Sequence, residues 1–227
     1  MAHRGASRAE RENTLAAFDL AARMGADAVE LDVRRSADGG LVIHHDPHLD
    51  DGRVIVRTSL VELPEYVPLL DAALDACRGM WVNVEIKNDP NEADFDPTDD
   101  IAMSVADALR RRDEPARFLV SSFRRETIDR FRLVCPDIAT AWLTPGVADD
   151  DIPATFDSLG AAGHAAVHPW FGLVSRKFVD EAHARGLMVN VWTCDEPSKM
   201  SELRGFGVDG ICTNVPDLAI ETLSMQA

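Results

Sequence analysis

The feature that most constrains this chain is a repeated alternation of helix and strand patterns along its length. Asn13–Met24 places apolar residues at helical spacing and is followed by Gly25, which is a helix stop signal. Asp27–Arg34 then alternates apolar and polar residues, which is the period of a strand. Repeated strand-helix units with short connections predict a parallel sheet covered by helices.

The same patterns recur to the end of the chain. The predicted strands are Asp27–Arg34, Leu41–His44, Trp81–Ile86, Phe118–Ser121, Ile138–Leu143, Ala165–His168, Met188–Trp192 and Val208–Cys212. The later predicted helices are Leu69–Cys77, Thr98–Arg112, Glu126–Val134, Ala154–Leu159, Arg176–Arg185, Pro197–Phe206 and Asp217–Leu223. This gives seven or eight units, which favours a (β/α)8 or TIM barrel over an open sheet, and 227 residues fit a single domain over 1–227. No GxGxxG or GxxxxGK motif follows a predicted strand, so nucleotide-binding folds lose their main support.

The composition argues against several classes of protein. The formal net charge is −16, which is the wrong sign for neutralising nucleic-acid phosphates. No stretch approaches the roughly 18 apolar residues of a membrane span, and the polar segment after Met1 is unlike a signal peptide. Four widely spaced cysteines, none in a CxxC pair, predict reduced core residues. We therefore expect a cytoplasmic protein with no nucleic-acid partner and no transmembrane segment.

Three carboxylates occur where a barrel could bring them together. Glu30 and Asp32 share one face of a predicted strand, and Glu85 lies near the end of a later strand. The mouth of a barrel can bring such residues within reach of one hard divalent cation, which prefers carboxylate oxygens. Each residue alone could equally be a solvent-facing charge. Acidic residues on the inward face of otherwise apolar strands favour a metal site, because isolated buried charge is costly.

Two histidines and a lysine lie where acid-base chemistry on a phosphate would need them. His3 precedes the first helix and His45 follows a predicted strand, so one could take a proton and the other give one. Lys87 lies two residues beyond the third carboxylate and could pair with a phosphate. His44 would face opposite to His45, whereas His168 ends a strand that could reach the mouth.

Two segments interrupt the alternation. Pro47–Pro68 is polar and turn-rich, and Asp89–Asp100 is rich in Asp and Pro. Each follows a strand that carries candidate catalytic groups, so we expect both over the C-terminal mouth of the barrel. The acidic segment is either solvated surface or a face for a cationic substrate group.

Seven short motifs stand out along the chain: His3-Arg4-Gly5, Glu12-Asn13-Thr14, Glu30-Leu31-Asp32, His45-Asp46, Glu85-Ile86-Lys87, Trp192-Thr193 and Asp209–Pro216. Together they resemble the glycerophosphodiester phosphodiesterase family. Their order, spacing and strand or loop context match the family from residue 3 to about 217.

The resemblance implies a TIM barrel that hydrolyses glycerophosphodiesters to glycerol 3-phosphate and an alcohol, using a divalent metal ion, Mg2+ or Ca2+. By correspondence of motifs, Glu30, Asp32 and Glu85 match the metal ligands. His3 and His45 match the catalytic pair. The other matches are Arg4 and Lys87 near the phosphate, Glu12 and Asn13 in support of the site, and Trp192 at the mouth. An ordinary position in the barrel core is the alternative for Trp192.

The first barrel strand is short in this sequence. Only Met1 and Ala2 precede His3, where the family has a longer hydrophobic strand. We therefore expect a truncated first strand, an exposed sheet edge and a loosely held His3, or a native chain that begins further upstream.

Three other functions remain open at this point. One is a phospholipase D-type member of the superfamily, which would need an apolar mouth where this sequence has polar loops. Another is a non-catalytic barrel that binds a phosphate ligand, and a third is a metal-dependent sugar-phosphate isomerase or aldolase. The two histidines with three carboxylates favour hydrolysis of a small-molecule substrate, by a monomer or a homodimer.

Overall fold

Strands and helices alternate throughout residues 1–224, which the computed structural model describes. The strands are β1 (Ala2–His3), β2 (Ala28–Arg35), β3 (Leu41–Ile43), β4 (Trp81–Ile86), β5 (Phe118–Ser122), β6 (Ala139–Thr144), β7 (Ala166–Pro169), β8 (Met188–Val191) and β9 (Gly210–Ile211). The α-helices are α1 (Leu15–Met24), α2 (Leu70–Ala76), α3 (Asp100–Arg110), α4 (Arg125–Val134), α5 (Ile152–Ala161), α6 (Arg176–His183), α7 (Pro197–Phe206) and α8 (Pro216–Ser224). The predicted alternation is confirmed.

The parallel strands curl into a barrel. Their order is β1-β2-β4-β5-β6-β7-β8-β9, and β3 instead pairs antiparallel with β2. Hydrogen bonds between β1 and the segment after β9 close the ring, since the His3 N–H donates to the Thr213 carbonyl at 2.9 Å and the Thr213 N–H donates to the Met1 carbonyl at 3.0 Å. The predicted (β/α)8 barrel is therefore confirmed.

The short first strand does not leave the exposed edge that we expected. Ala2 and His3 pair with Val29 and Glu30 of β2 on one side, and Ala2 bridges to Thr213 on the other. Two residues suffice because both of their flanks are hydrogen-bonded and Ala2 is fully buried. His3 is therefore held between two neighbours, and the expectation of a loosely held His3 is wrong.

Strand β2 shows how the sequence separates the two sides of the wall. Val29, Leu31 and Val33 are fully buried in a cluster that includes Phe18 of α1 and Leu74 of α2. Glu30 and Asp32, which lie between these three, face the barrel interior, because successive side chains on a strand point to opposite faces of the sheet. Each fully buried large apolar side chain contributes about 1.5–3 kcal/mol to stability, so this packing fixes which residues of β2 point inward.

Several predicted boundaries differ from the structure by one or two residues, and two of the differences have a clear local cause. The first helix begins at Leu15 and not at Asn13, because Thr14 is its N-cap and accepts a hydrogen bond from the Ala17 N–H. The last strand is only Gly210–Ile211, because the residues before it complete the end of α7. There the Val208 N–H donates to the carbonyl of Leu203 at 3.4 Å, a backbone bond that continues the helical end.

The acidic segment Asp89–Asp100 is a structured loop. Its carboxylates pair with arginines outside the segment, Glu92 and Asp94 with Arg34, Asp96 with Arg35, and Asp99 with Arg124. The description of this segment as simply solvated surface is therefore wrong, because much of its negative charge is neutralised by the strands and loops beneath it.

The other interrupting segment, Pro47–Pro68, is also partly packed. It contains two 3-10 turns, Ile55–Arg57 and Leu60–Glu62. Leu49, Ile55 and Val67 form a small apolar cluster with Val42 of β3. Hydrophobic residues spaced irregularly among polar ones thus build a local core that strand or helix periodicity does not reveal.

The four cysteines are buried free thiols, as predicted: Cys77, Cys135, Cys194 and Cys212. Among the described helices the longest, α3, has 11 residues. None of these helices has the length and apolar character needed to cross a bilayer.

Candidate active site

The three candidate metal ligands converge on the inner face of β2 and β4. Glu30 and Asp32 alternate along β2, and the parallel register places Asp32 opposite Glu85 of β4. One carboxylate oxygen from each of the three residues lies within 4.8 Å of the other two, and all three residues are buried. Glu30 and Asp32 on one face of β2, together with Glu85 on β4, thus form one acidic cluster.

The oxygens of this acidic cluster fit a bound cation. Burial raises the pKa of Glu30 well above its usual value, and the carboxylates of Asp32 and Glu85 add to the effect. Glu30 Oε1 and Asp32 Oδ1 are buried without a hydrogen-bond partner, which is costly for a carboxylate. A hard divalent cation would bond to such oxygens and keep the carboxylates ionised, so these residues fit the metal that the sequence motifs imply.

Lys87 and Arg4 offset part of the negative charge. Lys87 Nζ donates to Glu85 Oε1 at 2.8 Å and lies 3.6 Å from Asp32 Oδ1. Arg4 Nε lies 3.2 Å from Asp32 Oδ2, and the Arg4 backbone N–H donates to Glu30 Oε2 at 2.9 Å. Burial opposes ionisation of Asp32, but Lys87 and Arg4 outweigh it and lower the pKa of that carboxyl. The site therefore holds cationic donors directly beside the acidic cluster.

The segment before α1 supports both Arg4 and Asp32. Arg4 Nη1 donates to the two carboxylate oxygens of Glu12 at 2.9 and 3.0 Å. Asn13 Nδ2 donates to Asp32 Oδ2 at 2.8 Å from a left-handed backbone with φ of 58°, a conformation that Asn tolerates better than most residues. Because Thr14 caps α1, the Glu12-Asn13-Thr14 motif joins the site to the first helix.

His3 is oriented by polar groups from the far end of the sequence. Asp195 accepts hydrogen bonds from the Asn214 backbone N–H and from Asn214 Nδ2, both at 2.8 Å. This fixes the Asn214 amide, whose Oδ1 lies 2.7 Å from His3 Nδ1. An amide oxygen only accepts, so His3 donates from Nδ1 and leaves Nε2 as an acceptor. Burial and then Arg4 lower the pKa of His3, so the ring is neutral near pH 7.

His45 is anchored at its ring and at its backbone. Its Nδ1 lies 2.6 Å from Asp46 Oδ1 and donates to that carboxylate. Its backbone carbonyl accepts a hydrogen bond from Arg34 Nε at 2.8 Å. Burial lowers the pKa of His45, although Asp32 opposes this. Both candidate catalytic histidines are therefore neutral near pH 7, with Nε2 as the acceptor.

These groups surround a cavity of about 120 Å³ at the mouth of the barrel. Its lining includes His3, Arg4, Glu30, His45, Glu85 and Lys87. Trp192 lines it as well, with Nε1 donating to the His168 carbonyl at 2.8 Å and the Phe123 ring packed edge-on at 5.3 Å between centroids. Trp192 thus forms part of the wall of the cavity.

The two ambiguous histidines separate clearly in the structure. His168 lines the cavity and accepts a hydrogen bond from Asn190 Nδ2 at 2.9 Å. Burial lowers the pKa of His168 to about 3, so it is a neutral polar group at any ordinary pH. His44 is not among the residues that line the cavity, and its Nδ1 lies 2.8 Å from the Asp46 carbonyl.

The match to known sequences covers this whole site. The sequence profile of the glycerophosphoryl diester phosphodiesterase family matches residues 3–218. This chain belongs to that family. The matched range includes every residue of the acidic cluster, both candidate catalytic histidines, and the late segment that orients His3.

Individual relatives of this phosphodiesterase family are similar over nearly their full length. YhdW of Bacillus subtilis (strain 168) is 30% identical over 243 residues, covering 97% of this chain and 96% of that protein. The glycerophosphodiester phosphodiesterase of Bacillus altitudinis is 28% identical over 243 residues, again covering 97% and 96%. A phosphodiesterase from Oleispira antarctica, solved in complex with the product sn-glycerol-3-phosphate, is 26% identical with a TM-score of 0.88, covering 98% of this chain and 95% of that one.

Sequence reasoning missed several residues of this phosphodiesterase site. Asn214 lies inside the Asp209–Pro216 motif, so that motif could have pointed to it. No motif in the sequence points to Asp195, Phe123 or Arg34, because each lies in a segment that reads as an ordinary loop or strand. Their contacts join residues far apart in the chain, which only the closed barrel brings together.

Proposed function

We propose that this chain is a metal-dependent phosphodiesterase that hydrolyses glycerophosphodiesters to glycerol 3-phosphate and an alcohol. The observation that carries the proposal is that two carboxylates of the acidic cluster, two basic side chains and both candidate catalytic histidines line one cavity at the barrel mouth. The Oleispira antarctica phosphodiesterase, a chain of closely similar fold solved with sn-glycerol-3-phosphate, supports the choice of substrate.

Glu30, Asp32 and Glu85 would hold the divalent cation. Their buried oxygens without hydrogen-bond partners support this assignment. Mg2+ and Ca2+ are the proposed ions, since both prefer carboxylate oxygens. When bound, the cation supplies positive charge that polarises the phosphate and stabilises the negative charge of the transition state.

Arg4 and Lys87 are proposed to bind the phosphate. Both line the cavity, and only 17% and 10% of their side-chain surfaces are exposed. Charge-assisted hydrogen bonds in such a water-poor site are strong, and they stabilise charge that develops on the nonbridging oxygens. A chain with a net charge of −16 needs this local positive charge to accept an anionic substrate.

His3 and His45 are proposed to move the protons. Each starts neutral with Nε2 as the acceptor, because its Nδ1 proton is held by Asn214 or by Asp46. One Nε2 takes the proton of the attacking hydroxyl group, from water or from the neighbouring glycerol hydroxyl. The other histidine must first take up a proton from solvent at its Nε2. It then gives that proton to the oxygen of the departing alcohol, and the first histidine returns its own proton to solvent after the reaction. If the glycerol hydroxyl attacks, the product is a cyclic phosphate, which water then opens to glycerol 3-phosphate.

The alcohol is proposed to leave through a groove beside Lys87. This second cavity, of about 330 Å³, shares Lys87 and Phe123 with the first and is bounded further out by Asp89 and Arg124. Its charged wall suits a hydrophilic alcohol better than an acyl chain. Trp192 and Phe123 present aromatic surface on which the glycerol carbons can pack.

We further propose that the enzyme acts as a monomer or homodimer in the cytoplasm. One chain carries the whole acidic cluster and both candidate catalytic histidines, so catalysis requires no second copy. Four buried free cysteines suit a reducing compartment.

The proposal is tested by measuring glycerol 3-phosphate release from a panel of glycerophosphodiesters, with lysophospholipids as a lipid arm. The protein is stripped with EDTA and then given Mg2+, Ca2+ or Mn2+, beside Glu30→Ala and His45→Ala, with the exposed Glu10→Ala as the matched control. We expect metal-dependent release that both site variants lose and the control keeps. Turnover of the lipid arm alone would favour the phospholipase D-type activity, and no release by folded wild-type protein would contradict the proposal.

A further inference from the structure

Arg34 is a fully buried cation next to the acidic cluster that no proposed step of catalysis uses. It lies on β2 two residues after Asp32, and its side chain has 0% exposure. Arg34 Nη1 donates to Glu92 Oε2 at 2.9 Å and to Asp94 Oδ2 at 2.7 Å. Arg34 Nε donates to the His45 carbonyl at 2.8 Å, and Nη2 donates to the same oxygen.

Burying a guanidinium group is costly unless charge and hydrogen bonds compensate it. Both carboxylates that compensate Arg34 come from the loop after β4, and Asp94 is itself 5% exposed. The planar fork of arginine donates on two edges at once. Nη1 therefore binds Arg34 to this loop, while Nε and Nη2 both donate to one backbone carbonyl.

That carbonyl belongs to His45, which has few other constraints. Strand β3 ends at Ile43, so His45 lies beyond its ladder with β2. The partner of its ring is Asp46, whose side chain is 70% exposed. A pair between partly exposed groups holds an orientation weakly, whereas the buried Arg34 fixes the backbone from which the imidazole extends.

We propose that Arg34 is a positioning residue for His45, and that the loop carboxylates Glu92 and Asp94 hold Arg34 in place. The inference rests on the proposed function, because it assumes that His45 moves a proton. It gives the acidic loop a task other than binding a cationic substrate group. Arg34 does not itself line the catalytic cavity or the groove beside Lys87, so it acts through His45.

The test compares Arg34→Lys and Arg34→Ala with the same changes at Arg35, which is 30% exposed and makes one bond of 3.3 Å to Asp96. Lysine keeps the charge near the loop carboxylates but cannot also donate two bonds to the His45 carbonyl. We expect kcat to fall about a hundredfold at either Arg34 variant, because misplacing a catalytic group by about 1 Å costs that much, while KM changes less than about threefold. The Arg35 variants should keep kcat within about twofold.

Chemical rescue gives a readout that a merely structural role would not move. Arg34→Ala leaves a space beside two carboxylates, so guanidinium ion at millimolar concentration should restore kcat at least about tenfold, whereas ammonium at equal ionic strength should not. Circular dichroism checks folding, and calorimetric titration of Mg2+ or Ca2+ should give unchanged affinity.

Each outcome decides the inference. The inference is overturned if Arg34→Lys keeps the wild-type kcat, or if the Arg35 variants lose as much kcat as the Arg34 variants. It is also overturned if Arg34→Ala folds but guanidinium does not restore its kcat. If Arg34→Ala does not fold, Arg34→Lys against Arg35→Lys decides, with Asp94→Asn expected to lower kcat in the same direction. Absence of hydrolysis by the wild-type protein would instead refute the proposed function.

Discussion

The hydrogen-bond chain from Asp195 through Asn214 to His3 makes a quantitative prediction. Asn214→Asp would put a second carboxylate against Asp195 across the 2.8 Å that the Nδ2 donor now spans. At an effective dielectric constant of about 20, two unit charges at that separation repel by about 6 kcal/mol. The groups must move apart or take up a proton, and His3 then loses its fixed partner. Because a shift of about 1 Å at a catalytic group can cost about a hundredfold in rate, we expect kcat to fall about that much.

The double variant Asp195→Asn with Asn214→Asp exchanges the two roles and restores the hydrogen bonds. An amide at position 195 can donate to a carboxylate at 214, while its oxygen still accepts from the Thr213 hydroxyl and the backbone N–H of 214. We expect the pair to recover at least about tenfold of the kcat that either single change loses. The assay is kcat for glycerol 3-phosphate release, with proton-nitrogen correlation NMR to show which nitrogen of His3 carries its proton. If the losses of kcat from the two single changes simply add in the double variant, residues 195 and 214 do not act as a hydrogen-bonded pair and the prediction is wrong.

Two further predictions concern stability, both measured by urea unfolding. Burial lowers the pKa of His168 to about 3, so the stability contributed by its neutral form is complete above the unfolded-state pKa of about 6.5 and is lost as pH falls toward 3. From pH 6.5 to 5, the wild-type protein should therefore lose about 1.6 kcal/mol of unfolding free energy that His168→Gln does not lose. The exposed His48→Gln should behave as wild type, and equal losses in all three proteins would contradict the assignment. Gly5 and Gly39 share a φ of 82°, but a Cβ at Gly5 would lie 2.6 Å from the Ala17 backbone and one at Gly39 meets open space. Gly39→Ala should therefore cost about 1–2 kcal/mol from its backbone conformation alone, Gly5→Ala at least about 2 kcal/mol more, and equal costs would show that the close approach is unimportant.

The fold could be predicted from the sequence because its elements have strong periods. The predicted strand Trp81–Ile86 and helix Pro197–Phe206 agree with β4 and α7 at both ends. The inward face of β2 could also be predicted, since strand alternation separates Glu30 and Asp32 from the apolar residues between them. Closure of the barrel by the two residues of β1 could not be predicted from the sequence, because it depends on pairing with residues near position 213, at the other end of the chain.

Part of the candidate site could likewise be predicted from the sequence, and part could not. The acidic cluster follows from strand alternation together with parallel register, so its members were visible as candidates. Asp46 and Asn214, which contact the histidines, lie within motifs of the sequence, but contacts between distant residues could not be predicted, because Asn214 is 211 residues from His3 and Glu92 is 58 residues from Arg34. An arginine at the end of a strand ordinarily faces solvent, and only the folded loop above Arg34 shows that it is buried.

Hydrolysis of a glycerophosphodiester is tested most directly by phosphorus NMR of sn-glycero-3-phosphocholine incubated with the protein. We expect the diester signal to be replaced by that of glycerol 3-phosphate, with choline released, when Mg2+ or Ca2+ is present and not in EDTA. Glu85→Gln should abolish the conversion and Glu10→Gln should not, since only the first residue belongs to the acidic cluster. Formation of phosphocholine and glycerol would show that the other ester bond is cleaved, and conversion at the same rate in EDTA would show that hydrolysis needs no metal ion; either result would contradict the proposed function.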